Sequence, residues 1–306
     1  MPAYSTHYIF AKEMMPKLHE LADFELDENA VYIGTQGPDI FFFHRVLPQW
    51  RGKSRRNSGS AMHKAKFGEM LDLMRDYCNS SEHPDIAKSY VYGMILHYSL
   101  DCIAHPYIYY LQNKICEKNP KEHPFSAHNM VELGLDSLLL HERLGIENPK
   151  AFETADTFNF NDAEKAEIAR TLHSVQSAVP EEPFTEADVA KALEDMKKTQ
   201  KILVDTKDFK KFLFGILERI AAPFIKNLKV TVFMRPKDLE NAKKYANINN
   251  GKWKSPFEDG ERTESFYDLF EAAKPKAESI IKGFNDGASG YDLTHNLSFL
   301  TGVEVK

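Results

Sequence analysis

The pattern of apolar and polar positions along the chain predicts a mainly helical protein. Residues 7–22 alternate apolar and polar side chains at nearly the helical period, with Pro16 as an expected kink. Amphipathic stretches predict further helices at 162–178, 186–205, 208–222 and 264–283. A short run at 229–234 favours a β conformation instead. We therefore expect an all-α fold, in which the later helices serve for packing or as a pocket wall.

The most apolar stretch lies within residues 85–115, which we predict to be a central, buried helix. Three polar side chains interrupt it at four-residue intervals, namely His97, Asp101 and His105. This spacing places all three on one helix face, and burying them without a partner would be costly. Imidazole and carboxylate are zinc ligands, so the pattern predicts one or two metal ions. Pro106 predicts a kink directly after His105.

A second helix with the same spacing is predicted within residues 121–145. Ser126 is the expected N-cap, and Gly145 is expected to end the helix. His128, Glu132 and Asp136 follow one another at four-residue intervals. The first two could chelate one ion, while Asp136 could support a ligand from behind or hold a histidine in place.

Three further candidates lie closer to the N-terminus. His7 stands at the start of the first predicted helix. Asp39 follows the turn-forming pair Gly37-Pro38 and precedes an apolar Ile-Phe-Phe-Phe run, so its carboxylate is expected to need a cation or strong donors. Ser60 is the expected N-cap of a helix that carries His63 in its first turn.

Composition limits the classes of function. The 306-residue chain has a formal net charge of -6, which argues against a broad nucleic-acid surface. No uninterrupted apolar run is long enough to span a membrane, and no signal peptide is visible, so we expect a cytoplasmic protein. The three cysteines form no Cys-x-x-Cys pair, which argues against a cysteine zinc site.

The distribution of histidine suggests where the chemistry lies. Ten of the 12 histidines fall within the first 141 residues. We therefore expect a metal-binding helical core at 1–150 and a helical region at 151–306 packed on it, either as a separate unit or as part of one continuous domain. The polar loop at 48–60 contains Arg51 among several basic residues. A solvated surface loop is the favoured interpretation, and a clamp for an anionic substrate is the alternative.

Several motifs together resemble a known family. They are Thr-His near the start, G-P-D-I-F-F, G-S-A-M-H, H-Y-S-L-D-C-I-A-H-P-Y and H-N-M-V-E, spread over residues 4–145. In these pieces the chain resembles the zinc-dependent phospholipase C family and, more distantly, the fungal trinuclear-zinc nucleases that share its helical fold.

The resemblance implies a three-metal site. One zinc would be held by Asp39, His63, His97 and Asp101, and a second by His105, His128 and Glu132. Asp101 would bridge to a third ion held by His7 and by the N-terminal amine and carbonyl of the processed chain. Because no leader is visible here, two ions and three ions both stay open. Between His44 and His63 as a ligand, the resemblance favours His63.

The implied activity is metal-dependent hydrolysis of a phosphodiester or phosphomonoester. Bound ions would activate a water molecule, and Asp39 would orient that water or accept its proton. The expected substrate is a small phosphoester or a phospholipid headgroup. The alternatives are a single-strand nuclease or nucleotidase, a small soluble phosphoesterase, and a non-catalytic module stabilised by metal. The sequence does not indicate the oligomeric state.

Other classes fit the sequence less well. Ordinary core packing explains one buried histidine easily, but not eight polar groups at ligand-like spacings. No His-Asp dipeptide occurs, which argues against a helical phosphohydrolase of the HD type. No Glu-x-x-His pair occurs either, which argues against a di-iron carboxylate bundle.

Overall fold

The computed structural model describes residues 4–47, 49–221, 229, 231–236 and 238–305. Within these ranges the regular structure is helical, apart from two isolated β-bridges, Trp253–Arg262 and Leu297–Glu304. The predicted all-α fold is therefore confirmed.

The α-helices are numbered here in chain order. They are α1 (Tyr4–Leu21), α2 (Glu28–Gly34), α3 (Arg56–Met62), α4 (Phe67–Ser80), α5 (Pro84–Lys118), α6 (Pro124–Leu144), α7 (Asp162–His173), α8 (Glu186–Leu203), α9 (Phe209–Ala221), α10 (Leu239–Lys243), α11 (Phe266–Asn285) and α12 (Gly290–Thr294). Short 3-10 helices lie at Gly37–Phe43, Pro149–Ala151, Thr154–Thr157, Ser174–Ala178 and Thr231–Phe233.

Helix α5 is the central element of the fold. It is buried along most of its length and packs against α2, α4, α6 and α11. At the crossing with α2, Gly93 of α5 meets Gly34 so closely that a Cβ atom on Gly93 would lie 2.7 Å from the Gly34 Cα. Glycine at both positions therefore lets the two backbones touch.

The apolar core includes residues from both halves of the chain. Phe10 of α1 packs edge-on against Phe270 of α11, with ring centroids 5.2 Å apart. Phe299, near the C-terminal end, packs against Tyr98 of α5 at 5.0 Å. The C-terminal helices thus complete the surroundings of α5, while a division into units at residue 150 stays a prediction.

Several predicted helix ends agree with the structure. Asn161 and Thr185 form capping boxes at the starts of α7 and α8. Gly145 ends α6 in the left-handed conformation, with φ of 66°. Helix α5 continues as an α-helix through Pro106, the position at which we predicted a kink.

Three local predictions were wrong. Ser126 lies inside α6. The N-cap of this helix is His123, whose Nδ1 accepts a hydrogen bond from the Phe125 amide. Ser60 lies inside α3, and His63 is the C-cap of that helix rather than part of a first turn. Within the β-prone run at 229–234, the described residues Thr231–Phe233 form a 3-10 helix, and Glu218 accepts hydrogen bonds from the Thr231 amide and hydroxyl.

No helix in the described ranges combines the length and the apolar character needed to cross a lipid bilayer.

We expect Gly93→Ala to lower the free energy of unfolding by about 1–3 kcal/mol, because the new methyl group would collide with the Val31 carbonyl oxygen and the Gly34 backbone. Chemical denaturation would measure the change. Gly215→Ala in α9 is the matched control, since in the described part of the chain no atom beyond the neighbouring helix backbone lies within 4 Å of a Cβ there, and the substitution should be neutral or stabilising. Equal stability of both variants would contradict the close helix contact.

Candidate metal centre

Asp101 lies at the middle of a buried cluster of imidazoles. Its Oδ1 is 3.2 Å from Nε2 of His7, which α1 contributes. Its Oδ2 is 3.2 Å from Nε2 of His97 and 3.6 Å from Nδ1 of His105. The four-residue spacing on α5 thus brings His97, Asp101 and His105 to a common face, as expected, and α1 adds a histidine from outside that helix.

Asp39 approaches the same cluster from the 3-10 helix Gly37–Phe43. Its Oδ1 is 3.2 Å from Nε2 of His63, and its Oδ2 is 3.8 Å from Nε2 of His97. Gly37 has a positive φ of 53°, and a Cβ atom there would overlap the His97 ring. Glycine is therefore required for the turn to bring Asp39 this close to α5.

Helix α6 supplies the third part of the cluster. Nε2 of His128 is 3.1 Å from Oε1 of Glu132, one turn later on the same helix. The same carboxylate oxygen is 3.4 Å from Nε2 of His105 on α5. Contacts through His105 therefore join this pair to Asp101 in one continuous buried network.

The side chains of this network form three overlapping groups that could each hold a metal ion. In each group the ligand atoms lie within 4.8 Å of one another. The groups are His7, His97 and Asp101; Asp39, His63 and His97; and His105, His128 and Glu132.

Three of the imidazoles are oriented by backbone carbonyl oxygens. The contacts run from His63 Nδ1 to Gly59 O (2.8 Å), from His97 Nδ1 to Thr35 O (3.0 Å) and from His105 Nδ1 to Phe299 O (2.7 Å). A carbonyl oxygen can only accept, so each Nδ1 must carry the proton. In the neutral ring this leaves the Nε2 lone pair directed at the carboxylates, which is the usual arrangement of a histidine that binds metal.

Several atoms at the centre of the network lack hydrogen bonds. Among the described residues, Asp39 Oδ2, His97 Nε2 and Asp101 Oδ2 have no hydrogen-bond partner, although they are buried. With Nδ1 protonated, His97 Nε2 and the carboxylate oxygens around it are all acceptors. Acceptors that face one another at about 3–4 Å repel, and a shared cation removes that repulsion. The residues present therefore fit zinc or a similar divalent ion.

The protonation states of His63 and Asp101 favour the same interpretation. Burial, together with the nearby His97, lowers the pKa of His63 to about 3, so this ring is neutral. Burial and the charge of Asp101 raise the pKa of Asp39 to about 7 for the protein groups alone, against the opposing effect of His97. Burial would also raise the pKa of Asp101, but His105, His97 and His7 outweigh it and hold that pKa well below its usual value. Neutral imidazoles and a carboxylate are the forms that bind divalent metal. Burial lowers the pKa of His105, but Asp101 and Glu132 outweigh it and raise that pKa to about 9, so a metal ion would have to displace a proton from this ring.

A cleft of about 390 Å³ opens onto the cluster. Potential ligands among its lining residues are Asp39, His63, Asp101, His105 and His128. Its walls include the side chains of Phe42, Tyr109, Phe125 and Leu300, and Ser60 and Lys64 add polar groups. Because the ligands border open space, a small substrate can approach them.

Asp136 supports the site through the backbone beside His7. Its Oδ1 accepts hydrogen bonds from the Thr6 amide at 2.6 Å and from the Thr6 hydroxyl at 3.1 Å. Its Oδ2 is 3.3 Å from the Arg235 guanidinium. Asp136 therefore fixes the residue before His7, and its hydrogen bonds go to Thr6 and Arg235 instead of to a histidine ring.

His44 and Arg51 lie away from the cluster. The His44 Nδ1 accepts from the Arg55 amide at 3.0 Å, and its Nε2 lies 3.5 Å from Asp188 of α8. Arg51 is exposed, and its carbonyl oxygen accepts from the Arg45 side chain. Neither residue is among the described residues that line the cleft. The predicted N-terminal ligand lies outside the described residues.

Sequence reasoning missed the groups that orient the histidines. Phe299 supplies the carbonyl for His105, and its ring lies 5.3 Å from His63. Gln112 Oε1 is 3.0 Å from His128 Nδ1. Gln112 lies sixteen residues before His128, and Phe299 lies 194 residues after His105. Neither separation is a spacing from which a contact could be predicted.

Comparison with known proteins identifies the family. The family model described as zinc dependent phospholipase C matches residues 6–202. The chain belongs to the zinc-dependent phospholipase C family. A search of curated proteins and a search of solved structures each found no match. The matched region extends past the motifs at 4–145 and includes α7 and most of α8.

Membership confirms the resemblance drawn from the motifs, and it supports a metal-dependent phosphoesterase. The number of ions and the individual ligands stay predictions, as does the more distant similarity to the fungal nucleases.

We expect His63→Gln to lower the zinc content of the purified protein, whereas His44→Gln keeps it. His63 directs Nε2 at Asp39, and His44 directs its ring at Asp188. Elemental analysis, normalised to folded protein by circular dichroism, would measure both variants. Loss of zinc in His44→Gln with retention in His63→Gln would reverse the choice between the two histidines.

Proposed function

We propose that the chain is a zinc-dependent phosphodiester hydrolase of the phospholipase C type. The observation that supports this most strongly is the buried set of acceptor atoms that face one another without hydrogen bonds, two of them on residues that line an open cleft. Family membership supports the same reaction class.

The proposed ligand sets start from the three groups, with His97 assigned to the ion at Asp39 and Asp101 shared between two ions. One ion would be held by Asp39, His63, His97 and Asp101, and another by His105, His128 and Glu132. A third ion would be held by His7 and by Asp101, which would bridge two ions through its two oxygens. Distances of 3.2 Å from Asp101 to both His7 and His97 are in keeping with a bridging role.

Divalent ions in these positions would polarise a phosphoryl oxygen and lower the pKa of a water molecule. In the proposed mechanism, Asp39 orients the attacking water and accepts its proton. The Oδ2 of Asp39 has no hydrogen-bond partner among the described residues, and the carboxylate borders the cleft.

The cleft favours a substrate with both a phosphodiester and an apolar part. Lys64 is exposed and would attract the phosphate, while Phe42, Phe125 and Leu300 offer apolar contact. These features suit a phospholipid headgroup with part of its glycerol backbone. Aromatic walls can also stack nucleobases, so a single-strand nuclease is the second candidate.

We expect the wild-type chain to contain at least two zinc ions. Asp101→Ala should lose metal and at least about a hundredfold in hydrolysis rate, because its carboxylate contacts three of the proposed histidine ligands. Asp188→Asn, which alters the partly exposed carboxylate beside the buried His44, is the control and should keep both properties. Full metal content in Asp101→Ala would exclude the bridging role.

A substrate panel tests the reaction class. The expected order of activity is a phosphocholine ester first, followed by a short single-stranded oligonucleotide and a soluble phosphomonoester. Preference for the oligonucleotide would favour the nuclease. Inactivity on all three by protein that holds its full zinc content would contradict the proposed hydrolase and favour a metal-stabilised module without catalysis.

A further inference from the structure

Helix α9 carries its large apolar side chains on the outside of the protein. Six of them form an exposed stripe with helical spacing, called here the apolar stripe. Its members and exposed fractions are Phe209 (70%), Phe212 (69%), Leu213 (48%), Ile216 (38%), Leu217 (52%) and Ile220 (69%). Contiguous apolar exposure of this kind is unusual on a protein surface and marks an interaction site.

Polar side chains attach α9 to the rest of the protein. Glu218 accepts hydrogen bonds from the Thr231 amide at 2.5 Å and from its hydroxyl at 2.8 Å. The ammonium group of Lys211 donates to the Met234 carbonyl at 3.1 Å, and the Lys211 amide donates to Asp205 at 2.7 Å. A helix on the surface of a soluble protein normally packs its apolar side against the core and exposes its polar side. The apolar stripe is therefore positioned for contact with something outside the chain.

The charge around α9 indicates what that partner is. Residues 201–221 contain five lysines and arginines and three acidic residues, in a chain with a net charge of -6. Two of those acids, Asp205 and Glu218, accept the hydrogen bonds just described, whereas Lys207 and Arg219 are exposed. An apolar stripe flanked by basic side chains is typical of helices that lie in the headgroup region of an anionic membrane.

Lys229 and Phe233, which come after α9 in the sequence, contact residues at the wall of the cleft. The Lys229 amide donates to Ser126 Oγ at 3.1 Å, near the start of α6. The Phe233 ring packs against Phe125 with centroids 5.9 Å apart, and Phe125 lines the cleft. A surface that binds the apolar stripe would thus lie close to the structure that borders the site.

We propose that α9 is an interfacial helix that docks the protein on an anionic phospholipid surface through the apolar stripe. The choice of lipid over a protein partner rests in part on the proposed function. Docking itself needs no hydrolysis, so it can be measured separately.

Co-sedimentation with vesicles of equal parts phosphatidylcholine and phosphatidylglycerol would test the docking. The triple variant Phe209→Ser, Phe212→Ser, Ile220→Ser should bind at least about tenfold more weakly than wild type, since three large apolar side chains no longer enter the membrane. The matched control is Ile248→Ser with Tyr291→Ser, two apolar side chains exposed elsewhere at 55% and 52%, and it should bind as wild type does.

A second measurement does not depend on the triple variant folding. The single variant Phe212→Trp should shift its fluorescence to shorter wavelength when these vesicles are added, beyond any shift of the wild type with its two native tryptophans. The absence of such a shift, or equal vesicle binding by the wild type and a folded triple variant, would overturn the proposal. A wild type that binds no vesicles and self-associates through the stripe in sedimentation velocity would overturn it in favour of a second copy.

Failure of the proposed function gives a different result. If wild type binds vesicles through the stripe but hydrolyses no phosphoester, docking stands and the hydrolase does not. If the triple variant keeps full activity on a soluble phosphocholine ester but loses at least about tenfold on vesicles, both proposals are supported.

Discussion

The structure depends on how it compensates for the burial of Asp101. Only 4% of this residue is exposed, and burial alone would favour its neutral form. Three imidazoles from α1 and α5 surround it and reverse that preference. A buried carboxylate ringed by histidines is stable only if the rings are held in fixed orientations, so much of the surrounding backbone serves to hold them.

The contact between α2 and α5 shows how the fold provides this support. Because Gly34 and Gly93 let the two backbones touch, the carbonyl of Thr35, the next residue, reaches Nδ1 of His97 at 3.0 Å. Two residues further on, Gly37 turns the chain so that Asp39 faces the same ring. One close helix contact therefore sets both the tautomer of His97 and the position of a carboxylate beside it.

The parts of the site that the sequence could predict are those with local geometry. His97, Asp101 and His105 were recognisable because a four-residue spacing has one meaning inside a helix. The position of His63 in its helix could not be predicted. A serine such as Ser60 is a common N-cap but also occurs inside helices, and here it lies inside α3, which places His63 at the C-cap and not in a first turn. The carbonyl of Phe299 could not be predicted at all, because its approach to His105 depends on how the C-terminal region packs on α5.

Helix α9 shows the same limit for the surface. The hydropathy pattern predicts an amphipathic helix, but it does not indicate which face of that helix packs against the rest of the chain. In the structure Glu218 contacts Thr231, and this thirteen-residue separation carries no helical signal. The overall charge of -6 does not oppose docking on an anionic surface, because salt screens charges beyond a Debye length of about 8 Å. Only charges close to the membrane act on it, and around α9 those are mainly basic, so the local excess outweighs the net charge of the chain.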